Sequence, residues 1–444
     1  MKKIILLAAV LSFSLPFVSA QDSSKFNVTV YGFVRNYLNY DSRKTYTVVG
    51  GEYNMFPYDE ARVDFYGQPT PYGDDLNDVP SLQFQALTSR LGVAVTGPKL
   101  LGWNTSGKIE ADFGGFGTTN TVLRLRLAYV NLERRGLSGN NHGSLLIGQD
   151  WHPLSGDIMP EVLGMAAGAP FRPHSRTPQI RATQYWGPIG CSAALLWQLQ
   201  YMNNGPESSS SLASVASVDF ANHALWPEAF LGFNFKQGGW YAQLGVDAQI
   251  LRPRTHRMSS LNNYKVDETV KSLTPTLYAQ YVGNRLSIKF RTMMAQNTSH
   301  LNQLVGYGIT GVNPDRSYSY APLNASISYL NIACGTKVRA NLFLGYMKNL
   351  GANEDLLYVN YAGYYIYMKG GNNFTHLNSA YRVAPSISYN LPHFNFGIEY
   401  EWTACTYGDL SGNGSIQNND NLHQVDNHRI CVMVKYNFSA PVKK

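Results

Sequence analysis

Apolar and polar side chains alternate along many short stretches of this chain, and few architectures tolerate that pattern. In Arg429 to Phe438 (RICVMVKYNF), Ile430, Val432, Val434, Tyr436 and Phe438 fall on one face of an extended strand, and Arg429, Cys431, Met433, Lys435 and Asn437 on the other. In Trp240 to Leu251, alternate apolar positions oppose Tyr241, Gln243, Asp247 and Gln249; in Phe394 to Trp402, Phe394, Phe396, Ile398, Tyr400 and Trp402 oppose Asn395, Glu399 and Glu401. Ionised side chains at such positions cannot fill a dry core. One face of each strand therefore meets water. The other meets a second sheet in a soluble sandwich, or lipid in a membrane barrel.

The connections separate these two architectures. Alternation marks about 16 segments, from Phe26–Tyr40 and Ser81–Thr96 to Phe394–Thr403 and Arg429–Phe438. From the sixth segment onward the links alternate strictly. GPI (187–189), QGG (237–239), VGN (282–284), IACGT (332–336) and LPH (391–393) are tight turns, and between them run loops far longer than ordinary hairpin connections. A sandwich has no reason for that asymmetry. The pattern predicts an all-β fold, a transmembrane antiparallel barrel of about 16 strands with short periplasmic turns and long extracellular loops. Its even strand count lets the last strand close on the first, with Arg429–Phe438 pairing against the segment that begins at Phe26.

The ends and the composition agree. Lys2 and Lys3 precede an apolar stretch to Val18, and Val18-Ser19-Ala20 before Gln21 reads as a signal-peptide cleavage site. Residues 1–20 are thus expected to be a signal peptide and 21–444 the barrel, with 439–444 (SAPVKK) a short tail. No later apolar run reaches the length of a membrane-spanning helix. Charged residues make up 15% of the chain, below the roughly 25% of soluble domains, while aromatics reach 13% with 30 tyrosines, as interfacial girdles require. The net charge of +7 is spread along strands instead of clustered, which argues against nucleic acid as a partner. The four cysteines (191, 334, 405, 431) have neither C-x-x-C nor metal-ligand spacing, so no metal and no cofactor are expected.

At VYGFVRNYL (Val30–Leu38), SRLGVAVTG (Ser89–Gly97), RLRLAYVNL (Arg124–Leu132), GSLLIGQD (Gly143–Asp150) and the Tyr436-x-Phe438 ending, the chain resembles the sixteen-stranded Gram-negative outer-membrane porins, and within them the DcaP-like branch. The resemblance covers nearly the whole mature chain in pattern and order. In that family the terminal aromatic usually ends the chain, whereas here SAPVKK follows Phe438. The resemblance implies outer-membrane lipid as surroundings, a homotrimer, and passive diffusion of small hydrophilic solutes and ions. It also implies an arginine ladder, here Arg124 and Arg126, facing an acidic loop folded into the channel, here 151–177 with Asp157 and Glu161.

Under the barrel reading the water-facing set is mostly basic. Arg90, Arg124, Arg126, Arg181, Lys289, Arg291, Lys337 and Arg339, with Asp157 and Glu161 opposite, are the expected pore-lining and constriction residues. Such a wall favours anions, so small hydrophilic or anionic solutes with mild anion preference are expected. Arg172, Arg176 and Arg181 either touch an anionic solute or brace the loop. The acidic first loop (Asp59, Glu60, Asp64, Asp74, Asp75, Asp78) reads as a solvated surface instead of a calcium site. Asp150, His152 and Ser155 lie close in sequence, but triads are assembled by geometry, and G-x-S-x-G and H-E-x-x-H are both missing from the sequence. No catalytic residues are expected. Two other readings stay open, a substrate-specific channel (dicarboxylate, peptide or oligosaccharide) and a secreted β-rich binding protein without a pore.

Overall fold

The computed structural model describes residues 26–51, 53–115, 122–136, 141–155, 159–164, 168–208, 211–259, 262–359 and 363–442. The expected signal peptide and Asp157 lie outside these residues. Sixteen antiparallel strands form the wall: β1 (Asn27–Asp41), β2 (Arg90–Leu100), β3 (Trp103–Asp112), β4 (Arg124–Arg135), β5 (Asn141–Trp151), β6 (Arg176–Trp186), β7 (Ile189–Leu196) and β8 (Glu228–Gln237), then β9 (Trp240–Leu251), β10 (Val270–Val282), β11 (Leu286–Gln296), β12 (Asn324–Gly335), β13 (Val338–Gly351), β14 (Leu377–Asn390), β15 (Phe394–Tyr407) and β16 (His423–Pro441). Each pairs with the next, and β16 pairs with β1. The sheet is a closed barrel. Among the described residues, no helix is long and apolar enough to cross a membrane.

Each segment marked by alternation in the sequence contains one of these strands, most of them longer than the pattern suggested. The second is interrupted: Ser81–Gln85 pairs with the upper part of β1, and β2 resumes at Arg90 against the lower part. The seventh ends at Leu196 instead of Tyr201. Ser439, Ala440 and Pro441, expected to begin a tail, continue β16 opposite Tyr31, Val30 and Thr29. They extend the closing ladder, because β1 has unpaired backbone there for them to meet.

Faces fall as the alternation requires. On β16, Ile430, Val432 and Val434 point outward while Cys431 and Met433 are buried. Ile109, Phe233 and Leu244 are 62%, 58% and 59% exposed, an apolar belt that only lipid can cover favourably. Outward aromatics gather near the short turns (Trp186, Trp240, Tyr389, Phe394) and again toward the loops (Tyr40, Phe113, Tyr346, Tyr381), the two girdles of a membrane barrel. The closing seam is also charged on its inner face. Arg429 grips Asp41 with two bonds of 2.8 Å, and Asn427 donates to the same carboxylate at 2.8 Å.

The outward face of β16 gives a direct test. Val432→Arg should cost about 2–4 kcal/mol if the residue lies near the bilayer midplane, measured by urea unfolding in liposomes. A cost within about 0.5 kcal/mol, typical of surface substitutions, would contradict the assignment of this face to lipid.

Candidate functional site

Three segments from the long-loop end fold inward and fill the barrel there. The first is a hairpin from the first loop, Thr45–Val48 paired with Tyr53–Pro57. Tyr53, Met55 and Phe56 are fully buried. The second is the β5–β6 loop, in its described residues 152–155, 159–164 and 168–175. The third lies in the β11–β12 loop around the short helical turn Ser299–Leu301, with Asn302 donating to the His174 carbonyl at 3.0 Å.

The β5–β6 loop crosses the lumen, as its successive contacts show. The Leu154 carbonyl accepts from Arg291 on β11, and the Met159 carbonyl from Lys289 Nζ at 2.8 Å. Glu161 then accepts from Arg339 on β13 (Nε–Oε2 2.5 Å, Nη2–Oε1 2.9 Å) and from Ser287 at 2.5 Å, with Lys289 3.6 Å away. The Leu163 and Gly164 amides donate to Glu399 on β15 at 2.8 and 3.0 Å, and Tyr37 on β1 donates to the Leu163 carbonyl at 2.8 Å. On the way back, the Ala169 carbonyl accepts from Arg382 on β14 at 2.9 Å. Wall glycines make room for the crossing. A Cβ on Gly397 would come within 2.5 Å of the Leu163 side chain, and one on Gly345 within 2.5 Å of the Phe171 ring.

Arg382 ties the two inserted elements together, donating to the Asn54 and Met55 carbonyls of the hairpin at 3.0 and 2.7 Å as well as to Ala169. His174 joins them a second time. Arg172 Nη1 donates to its Nδ1 at 2.9 Å, so its Nε2–H donates to Tyr53 Oη at 2.6 Å. Burial, reinforced by Arg172 and Arg176, keeps this imidazole well below the usual histidine range and therefore neutral. Burial also pushes the Arg172 guanidinium down to about 10, which leaves it charged at neutral pH.

Arg124 and Arg126 share one face of β4, and their partners are acids of the neighbouring strand, not Glu161. Arg124 makes a two-bond pair with Asp112 on β3 (2.8 and 2.7 Å), and Arg126 bridges Asp112 at 2.7 Å and Glu110 at 2.9 Å. Arg90 approaches Glu110 at 3.4 Å. Arg126 is only 2% exposed. Two arginines on one strand face would repel, so neighbouring acids on β3 neutralise them where they stand. Glu161 instead reaches the far wall. Of the other expected residues, Arg291 is buried beneath the loop, Arg181 pairs with Asp150 at 2.8 Å, and Lys337 is exposed over Tyr389. Arg172 and Arg176 are fully buried, in the bracing position.

The sequence reading did not anticipate the inserted hairpin. Its signal was present in TYTVVGGEYNMFP, an apolar stretch inside a loop otherwise rich in Asp and Gly. Asp150, His152 and Ser155 turn to different partners, Arg181, Glu228 and the Pro173 carbonyl respectively. In the acidic part of that first loop, Asp75 is held by Arg43 at 2.6 Å.

A second cationic group faces the lumen on β1, β2, β3 and β16. Lys435 lies across the seam from Arg35. Lys435, Arg90 and Arg35 surround the Phe33 ring at 4.4, 4.8 and 5.0 Å, and Lys108 sits 4.8 Å from the Tyr31 ring. Each is partly exposed to water. Elsewhere a cavity of about 350 Å³ is lined by Tyr129, Asn131, Asp150, Arg181, Tyr185 and Gln243, among others.

The β3–β4 charge group is testable because breaking a buried pair strands its partner. Arg126→Ala should lower stability by about 3–5 kcal/mol, read by chemical unfolding. A change below about 1 kcal/mol, as expected of an exposed pair, would show that these charges are solvated.

No family model and no curated protein matches the chain. Solved structures do. The outer-membrane channel DcaP of Acinetobacter baumannii aligns with a TM-score of 0.58 at 16% identity, covering 95% of this chain and 100% of that one. OmpT of Vibrio cholerae (0.50, 11%, 95% and 100%) and an anion-selective porin from Comamonas acidovorans (0.50, 12%, 93% and 100%) align similarly. With its closed wall, outward apolar belt and inward-folded loops, the chain has the fold of the sixteen-stranded outer-membrane porins.

Proposed function

We propose that the protein is a passive outer-membrane channel for small hydrophilic solutes, with mild preference for anions and no enzymatic activity. The observation that carries this reading is the β5–β6 loop, stretched across a closed, water-facing lumen and anchored on the far wall by Glu161, Lys289 and Arg339. A loop so placed sets the aperture, and wall charge selects what passes. The anion preference rests on Arg35, Lys108 and Lys435, which face the lumen, with Arg90 beside them sharing Glu110 with Arg126. Arg124 and Arg126 contribute less than their sequence suggests, because Asp112 and Glu110 cancel them locally.

Reversal potentials across planar bilayers in a salt gradient should report an excess of anion permeability. Lys108→Gln with Lys435→Gln should reduce that permeability ratio, roughly by half. Cation selectivity of the unmodified protein would refute the preference while leaving the channel reading intact.

The loop anchor makes a pH prediction. Burial alone would raise the Glu161 carboxyl, but hydrogen bonds from Arg339 and Ser287 and the charge of Lys289 outweigh it and hold the group below the usual carboxylate range. Its stabilising contribution is therefore present above the unfolded value of about 4.3 and is lost as pH falls through the depressed folded value. Open-channel current noise should stay constant from pH 7 to about pH 5 and rise only in stronger acid. Glu161→Gln should show the raised noise already at pH 7. A rise in the wild type near pH 6 would contradict the assignment.

The tight filling of the long-loop end favours a second reading, a channel specific for a particular solute. The polar, tyrosine-lined cavity is of a size to hold one. Block of conductance by micromolar solute would distinguish it from general diffusion. The homotrimer belongs to the same proposal, supported by Phe65, Tyr66 and Tyr72, which the first loop holds 80% or more exposed. Neighbouring barrels would cover them.

A further inference from the structure

Four donor groups converge where the inserted segments meet the wall. Glu228 opens β8 and Asp247 lies near the end of β9, both buried. His152 comes from the β5–β6 loop and His300 from the β11–β12 loop, again buried. Glu228 Oε1 lies 2.9 Å from His152 Nε2 and 2.9 Å from His300 Nε2, and Asp247 Oδ1 lies 3.8 Å from His152 Nε2. Among the described residues, no Lys or Arg pairs with either carboxylate, and Asp247 Oδ1, although fully enclosed, has no donor to accept from, its carboxyl lying against that of Glu228. Gln249 Nε2, at 3.5 Å from Glu228 Oε2, adds only a neutral contact.

Two buried carboxylates without a strong cation are costly, and proteins meet that cost with protons or with a metal. The donor set points to the second. One oxygen of Glu228 and one nitrogen each of His152 and His300 lie within 4.8 Å of one another, with Asp247 beside them, and such a set of imidazole nitrogens and carboxylate oxygens suits zinc and its neighbours, whereas calcium and magnesium prefer oxygen alone. We propose that Glu228, Asp247 and His300, with His152, hold one divalent transition-metal ion of the zinc type, which clips both inserted loops to the barrel wall.

The ion carries the charge that both carboxylates lack, and Asp247 Oδ1 gains a partner. Ligation by His300 Nε2 puts its proton on Nδ1, which has no partner to lose among the described residues. His152 has more at stake, since its Nδ1 accepts from the Leu154 amide at 3.1 Å. It either gives up that bond to ligate, or keeps it and donates its Nε2–H to Glu228 as an outer-shell partner. The ion requires the other three residues in both arrangements.

The test uses the full chain, folded into detergent with Co2+ or with Zn2+ and then desalted. Bound metal is counted by mass spectrometry, and the Co2+ form is examined for the intense visible bands of tetrahedral coordination. The expected result is about one ion per chain, with those bands present. Asp247→Asn keeps the size of the side chain, and folding of each variant is checked by heat-modifiable gel mobility. This variant and His300→Ala should each lose most of the bound metal. Wild-type protein that retains less than about a tenth of an equivalent, or an Asp247→Asn variant that retains as much as the wild type, overturns the proposal and leaves a purely hydrogen-bonded cluster.

Discussion

A strand facing lipid cannot leave its backbone donors and acceptors unpaired, and the rest of this structure depends on that constraint. Each unpaired group would cost several kcal/mol in hydrocarbon. The pairing of β1 with β16, from Thr29 opposite Pro441 to Asp41 opposite Arg429, removes the last free edge. Closure fixes everything else. It sends alternate side chains to lipid and to the lumen, and it encloses a volume whose inner surface is polar because the outer surface must not be.

That polar interior holds the loops. Segments entering a barrel must find partners for their own backbone groups, and the wall supplies them from lumen-facing positions: Arg291, Lys289, Arg339, Glu399 and Arg382 each meet a main-chain or carboxylate group of the β5–β6 loop. Charge-assisted bonds of this kind contribute about 1.5–3 kcal/mol each, and the contacts are distributed around the circumference. The loop is therefore held at many points instead of hinged at one. Gly345 and Gly397 belong to the same design, since any larger side chain there would occupy the space of Phe171 or Leu163.

Some of this was legible in the sequence. The strands, their faces, the alternation of short turns with long loops and the closure of β16 on β1 all follow from a period of two, which each strand carries within its own ten or so residues. The partners of inward charges were not legible in the same way. Arg124 and Arg126 looked like one side of a field across the pore, yet Asp112 and Glu110 on the adjacent strand neutralise them. Register decides such pairs, and register is a property of two strands. The hairpin at Tyr53–Pro57 escaped because the length of its loop suggested a solvated excursion, although its apolar residues argued for burial.

The sequence by itself determined the barrel: alternation specifies which side chains can face lipid, and no open sheet can satisfy its edges there. Only the tertiary structure decided what lies inside. Which wall the β5–β6 loop reaches and which three residues from three other segments converge on Glu228 depend on distances across the barrel. Such contacts join residues far apart in the chain, as Glu161 and Arg339 are, and no local periodicity encodes them.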